Sequence, residues 1–87
     1  MIEDEASSLS NTEPPNRFSR LTVRQVSILK FVAQGLTNSQ IARELNLSKY
    51  TVAQHVADML RRTGSVNRTN LVNQAYMTGI LRNPSHR

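Results

Sequence analysis

Apolar residues recur at the three- and four-residue spacing of an amphipathic helix in four successive segments of the chain. Each segment starts near a side chain that can cap a helix N-terminus and ends near a glycine or an asparagine, which tolerate a left-handed backbone. No stretch alternates apolar and polar residues for long enough to indicate a strand. We therefore expect an all-α fold, a four-helix bundle. The predicted helices cover residues 22–34, 38–45, 49–62 and 68–78.

The break between the second and third segments is very short, the four residues Leu-Asn-Leu-Ser at 45–48. Two helices joined by so short a turn cannot lie side by side as a long hairpin, so they must cross at a steep angle. This geometry predicts a helix-turn-helix, in which one helix braces the next against a groove of DNA. A tight corner in a small bundle with another role is the alternative.

The third predicted helix has two chemically different sides. An apolar stripe, expected to face the core, consists of Val52, Val56, Met59 and Leu60. The opposite side offers aromatic, amide, methyl and guanidinium groups that match the edges of bases, where a merely solvated face would carry Glu and Lys. Its residues are Tyr50, Gln54, Ala57, Asp58 and Arg61.

Asp58 counts against contact with DNA, because a carboxylate facing the groove is repelled by phosphates. We expect it to pair within the helix with Arg61 or Arg62, which are three and four residues further on. His55 flanks the apolar stripe and is expected to be a half-buried structural residue.

Other side chains suit phosphate contacts. Asn38 and Ser39 lie at the start of the second helix, where free backbone N–H groups favour an anion. Thr51, Arg61 and Arg62 lie beside the proposed reading side and would orient the domain without reading sequence. The alternative for each of them is a helix cap or a solvated charge.

Charge is distributed unevenly along the chain. Residues 1–20 carry four acidic and two basic residues, a net charge of −2, whereas residues 21–87 carry nine basic and two acidic residues, a net charge of +7. A basic folded part attracts polyanions such as nucleic acid. We expect a disordered acidic tail or linker at 1–20, anchored near Phe18 or Leu21, a domain at 21–81 and a short C-terminal tail at 82–87.

Several classes of protein are not expected. The chain has no cysteine, no apolar run near the roughly 20 residues that span a bilayer, and acidic residues where a signal peptide carries basic ones. We therefore expect a soluble cytoplasmic protein. The histidines and acidic residues of the folded part form no nucleophile–base pair, metal cluster or phosphate-binding loop, so neither an enzyme nor a cofactor is expected.

Many residues match one known pattern in order and spacing. They are Leu21-Thr22, Arg24, Ala33-Gln34-Gly35, Asn38, Ile41-Ala42, Ser48, Thr51-Val52, His55 and Asn67-Arg68-Thr69. On these residues, the segment 21–81 resembles the LuxR/NarL/GerE-type helix-turn-helix domain of bacterial transcription regulators. The resemblance implies a dimer on a two-fold-symmetric DNA site, and often an N-terminal sensor or receiver domain that this chain lacks.

The resemblance also implies roles for particular residues. Base-reading side chains would come from Ala53, Gln54 and Ala57, beside Tyr50 on the same helix. Phosphate contacts would come from Lys49 and Thr51. The fourth helix would serve both core packing and dimerisation through Leu71, Val72, Ala75 and Tyr76.

Three departures from the family pattern bear on affinity. Position 25 is Gln where Glu is usual, which would weaken an internal polar contact, and residues 62–63 are Arg-Thr in place of Lys-Leu. Ala53 and Ala57 stand where basic residues are frequent. We therefore expect weak DNA binding by the isolated monomer, with more of the readout carried by Tyr50 and Gln54. A helical protein-interaction module, or an adaptor that binds another regulator, is the alternative function.

Overall fold

The computed structural model describes residues 16–82, which form a 3₁₀ helix at Arg17–Arg20 followed by four α-helices and contain no strand. The all-α prediction is confirmed, and each predicted helix boundary lies within one residue of the observed one. No helix in this range is long and apolar enough to cross a membrane. The α-helices are α1 Val23–Ala33, α2 Asn38–Leu45, α3 Lys49–Thr63 and α4 Arg68–Thr78.

Hydrogen bonds between capping side chains and backbone N–H groups define where the helices begin. The hydroxyl of Thr22 accepts from the backbone N–H of Gln25, whose side-chain oxygen accepts in turn from the N–H of Thr22, both at 3.1 Å. Thr37 and Gln40 form the same reciprocal box at the start of α2. Ser48 caps α3 by accepting from the backbone N–H of the third helical residue. These bonds satisfy amide groups that a helix start otherwise leaves unpaired.

The turn between α2 and α3 depends on Asn46, which has a left-handed backbone with φ 59° and ψ 45°. This conformation directs the N–H groups of both Asn46 and Leu47 to the carbonyl of Ala42, the second at 2.8 Å. The last carbonyls of α2 are thereby partly satisfied within two residues. Ser48 can then start α3 immediately, which explains how the chain changes direction without glycine or proline.

The core lies where α3 meets every other helix of the described chain. Its side chains come from all four α-helices and from the flanking segments on both sides. They are Phe18, Ile28, Leu29, Val32, Ile41, Ala42, Val52, Val56, Met59, Leu71, Ala75 and Leu81.

The boundary of the expected N-terminal tail needs a correction. Phe18 is only 2% exposed, and the Asn16 side chain accepts a hydrogen bond from its backbone N–H at 2.9 Å. The folded part therefore begins before Leu21, at the anchor considered near Phe18. Residues 1–20 are polar on average, and this composition hides the one aromatic residue among them, Phe18, which packs into the core. Of the expected tails at 1–20 and 82–87, residues 1–15 and 83–87 lie outside the described residues.

Two of the four expected dimer contacts also need a correction. Leu71 and Ala75 are fully buried within the monomer, in the core beneath the helix that contacts α1 and α3. A side chain with no accessible surface cannot contact a second chain unless the domain unfolds. Val72 is half-buried and Tyr76 is exposed, so they remain available.

Replacing Asn46 tests the turn. Asn46→Val should lower the free energy of unfolding by about 1–2 kcal/mol, because a β-branched residue is disfavoured in the left-handed region. Asn46→Gly should retain most of the stability, since glycine adopts this conformation freely. Urea denaturation followed by circular dichroism measures both changes. Equal losses in the two variants would mean that the Asn46 side chain, and not its backbone conformation, stabilises the turn.

Candidate nucleic-acid interface

The rotation of α3 about its axis decides which side chains it offers to solvent. Val52 and Met59 are fully buried and Val56 is nearly so, whereas Tyr50 is 73% exposed. Ala53, Gln54 and Ala57 are also exposed, and Leu60 is half-buried. The predicted division of the helix into an apolar inner side and a mixed outer side is therefore confirmed, with Leu60 at its edge.

The first turn of α3 brings a cation and an aromatic ring together. The ammonium of Lys49 lies 5.5 Å from the centre of the Tyr50 ring, within the range of a cation–π contact. The hydroxyl of Ser48 donates to that of Thr51 at 3.0 Å while it accepts from the Thr51 backbone N–H. The Thr51 hydroxyl thus belongs to the helix cap, and Lys49 and Tyr50 extend outward from it.

The start of α2 is fixed by Arg68, the first residue of α4. Its guanidinium donates to the side-chain oxygen of Asn38 and to the backbone carbonyl of Leu36, each at 2.7 Å. Two bonds from one planar group hold the α2 N-terminus at a set position relative to α4. Asn38 is thus partly engaged inside the domain, whereas Ser39 is exposed. Arg68 belongs to the Asn67-Arg68-Thr69 motif, but local spacing does not indicate that its side chain joins two helices.

A polar cluster lies on α3 where that helix passes α1. The Nε atom of Arg62 lies 2.6 Å from Oδ2 of Asp58, and the Arg61 guanidinium pairs with the other carboxylate oxygen. The expected pairing within the helix is confirmed, for both arginines. Arg62 also donates to the backbone carbonyl of Arg20 at 2.9 Å, which ties α3 to the 3₁₀ helix.

Gln25 reaches the same carboxylate from α1. Its amide nitrogen donates to Oδ2 of Asp58 at 2.8 Å, while its amide oxygen completes the capping box with Thr22. The amide supplies a donor that a carboxylate lacks, so Gln25 makes a contact with Asp58 that an ionised glutamate could not make, and the expected weakening of an internal contact stays a prediction. Buried Gln25 therefore links the start of α1 to the middle of α3.

The same contacts lower the pKa of Asp58 below its usual value. The hydrogen bond from Gln25 is the largest cause, and the positive charges of Arg62 and Arg61 act in the same direction. Burial acts in the opposite direction and is outweighed. The group is ionised at neutral pH.

The outer side of α4 is the other unusual surface. Tyr76 is 38% and Met77 85% exposed, and Val72 lies one helical turn before Tyr76. Tyr76 also lines an open groove of about 630 Å³ between the C-terminal ends of α1 and α4. Lys30 and Arg82 contribute positive charge to the same groove.

His55 is half-buried beside the apolar stripe. Across residues 16–82, no three His, Asp or Glu side chains are grouped so that they could hold a metal ion.

These features together define a helix-turn-helix module: a short α2, a tight turn, and an α3 that is packed on one side and carries exposed polar and aromatic groups on the other. The chain belongs to the luxR family of bacterial regulatory proteins, whose family model matches residues 19–75. It is thus a member of a family of transcription regulators and not of a family of enzymes.

Individual relatives agree with this assignment. The chain is 38% identical over 76 residues to a probable transcriptional regulator, ycf29, of Pyropia yezoensis, covering 87% of this chain and 34% of the relative. It is 49% identical over 45 residues to the nitrate/nitrite response regulator NarP of Escherichia coli, covering 52% and 21%. It is 41% identical over 63 residues to the two-component response regulator PprB of Pseudomonas aeruginosa, covering 71% and 23%. The chain spans about a third or less of each of these proteins.

The acid dependence of stability tests the Asp58 cluster. Because the pKa of Asp58 is lower in the folded chain than in the unfolded chain, its contribution is complete above the unfolded pKa and is lost as the pH falls through the folded one. The difference in unfolding free energy between the wild type and Asp58→Asn should therefore shrink as the pH falls below about 5. Urea titrations at several pH values measure it. A difference that does not change with pH would contradict the described contacts.

Proposed function

We propose that this chain binds double-stranded DNA sequence-specifically as the output module of a transcription regulator, with α3 in the major groove. The orientation of α3 is the main support for this proposal, because its polar and aromatic side is exposed to solvent while its apolar side packs in the core. At about 1.5 Å per residue, the helix is roughly 20 Å long, which suits insertion into a major groove. Such a module acts where the DNA is, which in bacteria is the cytoplasm.

Base reading is assigned to Tyr50, Ala53, Gln54 and Ala57, all exposed on α3. Gln54 is the strongest candidate, because an amide can pair with adenine through two hydrogen bonds. The two alanines offer methyl groups suited to thymine, and Tyr50 lies near the helix start with Lys49 over its ring. One bidentate amide with small neighbours supports a site in which adenine and thymine dominate the directly read positions.

The candidates for phosphate contacts differ in whether their side chains already bond within the domain. Lys49 and Ser39 are exposed and would contact the backbone directly. Asn38 and Thr51 already make side-chain hydrogen bonds within the domain. We therefore assign them to positioning the helices, and to phosphate contacts through polar atoms that these bonds do not use. Arg61 and Arg62 would first have to exchange Asp58 for a phosphate.

A homodimer through α4 is part of the proposal. Val72 and Tyr76 are one helical turn apart, and Met77 extends the exposed apolar surface beside them. A two-fold contact on this side would place two α3 helices on neighbouring half-sites of a palindromic DNA site. Because the matched relatives are much longer than this chain, a sensor or receiver domain outside it would control the dimer.

Gln54→Ala tests the reading side. At one position of the DNA site, the difference in binding free energy between the preferred base and the others should fall by about 1–3 kcal/mol. Binding to unrelated duplexes should change little, because the amide contributes to base readout more than to general attraction. Selection from a pool of random duplexes, followed by fluorescence anisotropy on single-base variants, measures the change.

The matched control is Gln34→Ala, which removes an exposed amide at the end of α1. A wild-type base preference in Gln54→Ala would show that the reading side is wrongly assigned. Folded wild-type protein that selects no duplex sequence would favour the alternative, a module that docks another protein.

Tyr76→Glu tests the dimer. A charge at the centre of the proposed contact should shift the chain to monomer in sedimentation velocity and reduce binding to a palindromic site by at least about ten-fold, since one binding event no longer assists the other. Binding to a single half-site should stay close to the wild-type value. Val23→Glu adds the same charge at another exposed apolar position and serves as the control. Unchanged association in Tyr76→Glu would exclude this surface.

A further inference from the structure

Asp58 lies at the edge of the surface that the proposed function assigns to DNA. At about 100° per residue, its side chain is about 40° from that of Gln54 around α3, and Arg61 is about 20° from Gln54 on the other side. The two acidic residues among residues 21–87 are Glu44 and Asp58. One of the few acids of a basic domain is therefore placed beside its reading side.

Both oxygens of the Asp58 carboxylate are occupied. Oδ1 pairs with the Arg61 guanidinium, whereas Oδ2 lies 2.6 Å from Nε of Arg62 and accepts a hydrogen bond from Gln25 at 2.8 Å. Two arginines thus bind the oxygens of one anion, as two arginines can bind the oxygens of one phosphate. Gln25 is buried and fixed by its bond to Thr22, so it holds the carboxylate in place from the core side.

The two arginines are held with different strength. The Arg61 side chain is 75% exposed and the Arg62 side chain 40%, and Arg62 has a second acceptor in the carbonyl of Arg20. An exposed ion pair is weak because solvent screens it. A DNA phosphate can therefore displace Asp58 from Arg61 readily and from Arg62 with more difficulty.

We infer that Asp58 serves as an internal substitute for a DNA phosphate. It holds Arg61 and Arg62 away from the phosphates of the DNA and so limits non-specific DNA binding. The inference rests on the proposed function and deepens it. Phosphate contacts supply attraction that is independent of sequence, so withholding two cations lowers affinity for every duplex and leaves base contacts with a larger share of the total. Tight binding then requires the correct sequence and a second copy of the domain on the neighbouring half-site.

The test compares wild type with Asp58→Asn on a random-sequence duplex, by fluorescence anisotropy at salt concentrations from 50 to 200 mM. Asn retains an acceptor for Gln25 and removes the charge. Each freed arginine that reaches a phosphate should steepen the slope of log affinity against log salt by about 0.9. The affinity of the variant should therefore be higher at low salt and fall about three-fold more than that of wild type across this range for each arginine.

Two further variants separate this mechanism from a general effect of charge. Glu44→Gln changes the net charge equally but lies near the end of α2, beside Val23 and Arg24, and should leave the slope unchanged. In a double-mutant cycle, the gain from Asp58→Asn should be smaller when Arg61 is replaced by Gln, because one of the released cations is then missing. Asp58→Ala, checked for folding by circular dichroism, should change affinity in the same direction as Asp58→Asn.

The outcomes separate a failure of this inference from a failure of the proposed function. Equal slopes and affinities in wild type and in folded Asp58 variants, with DNA bound by all, would overturn the inference and leave the proposed function intact. Equal gains in Asp58→Asn and Glu44→Gln would also overturn it, because net charge would suffice. If all of the folded variants and the wild type fail to bind any duplex at 50 mM salt, the proposed function fails and this inference with it.

Discussion

Three apolar side chains hold one side of α3 against the other helices of the domain. Val52, Val56 and Met59 occupy the centre of the core, and each is worth about 1.5–3 kcal/mol when removed from water. Turning α3 by a single residue would expose some of this apolar surface and bury polar groups without partners. The buried side of α3 therefore fixes the rotation of the helix about its axis, and this rotation determines which residues face outward.

Polar contacts between elements set the remaining geometry. Arg68 joins the start of α4 to the start of α2, and Gln25 and Arg62 join α1 and the 3₁₀ helix to α3 through Asp58 and a backbone carbonyl. Each contact connects residues about thirty or more positions apart in the chain. The two helices of the helix-turn-helix are thus held by tertiary bonds as well as by the short turn between them, which suits a module that must present both to one rigid partner.

The electrostatic character of the domain differs from what its net charge alone indicates. A charge of +7 over residues 21–87 favours contact with polyanions, yet Asp58 neutralises part of it beside the outer side of α3. Ala53 and Ala57 add no charge on that side. Under the proposed function, the long-range field would attract nucleic acid, while the local surface would favour contacts that depend on the identity of the bases.

The four helices and the two sides of α3 could be predicted from the sequence, because caps, left-handed C-terminal residues and apolar spacing act within a few residues of one another. The sequence also indicated the pairing of Asp58 with its neighbours on the same helix. Local spacing could not predict that Phe18 enters the core, that Leu71 and Ala75 are buried within the monomer, or that Arg68 and Gln25 bridge helices. These facts depend on which distant segments meet, and packing in three dimensions settles that question where local periodicity cannot.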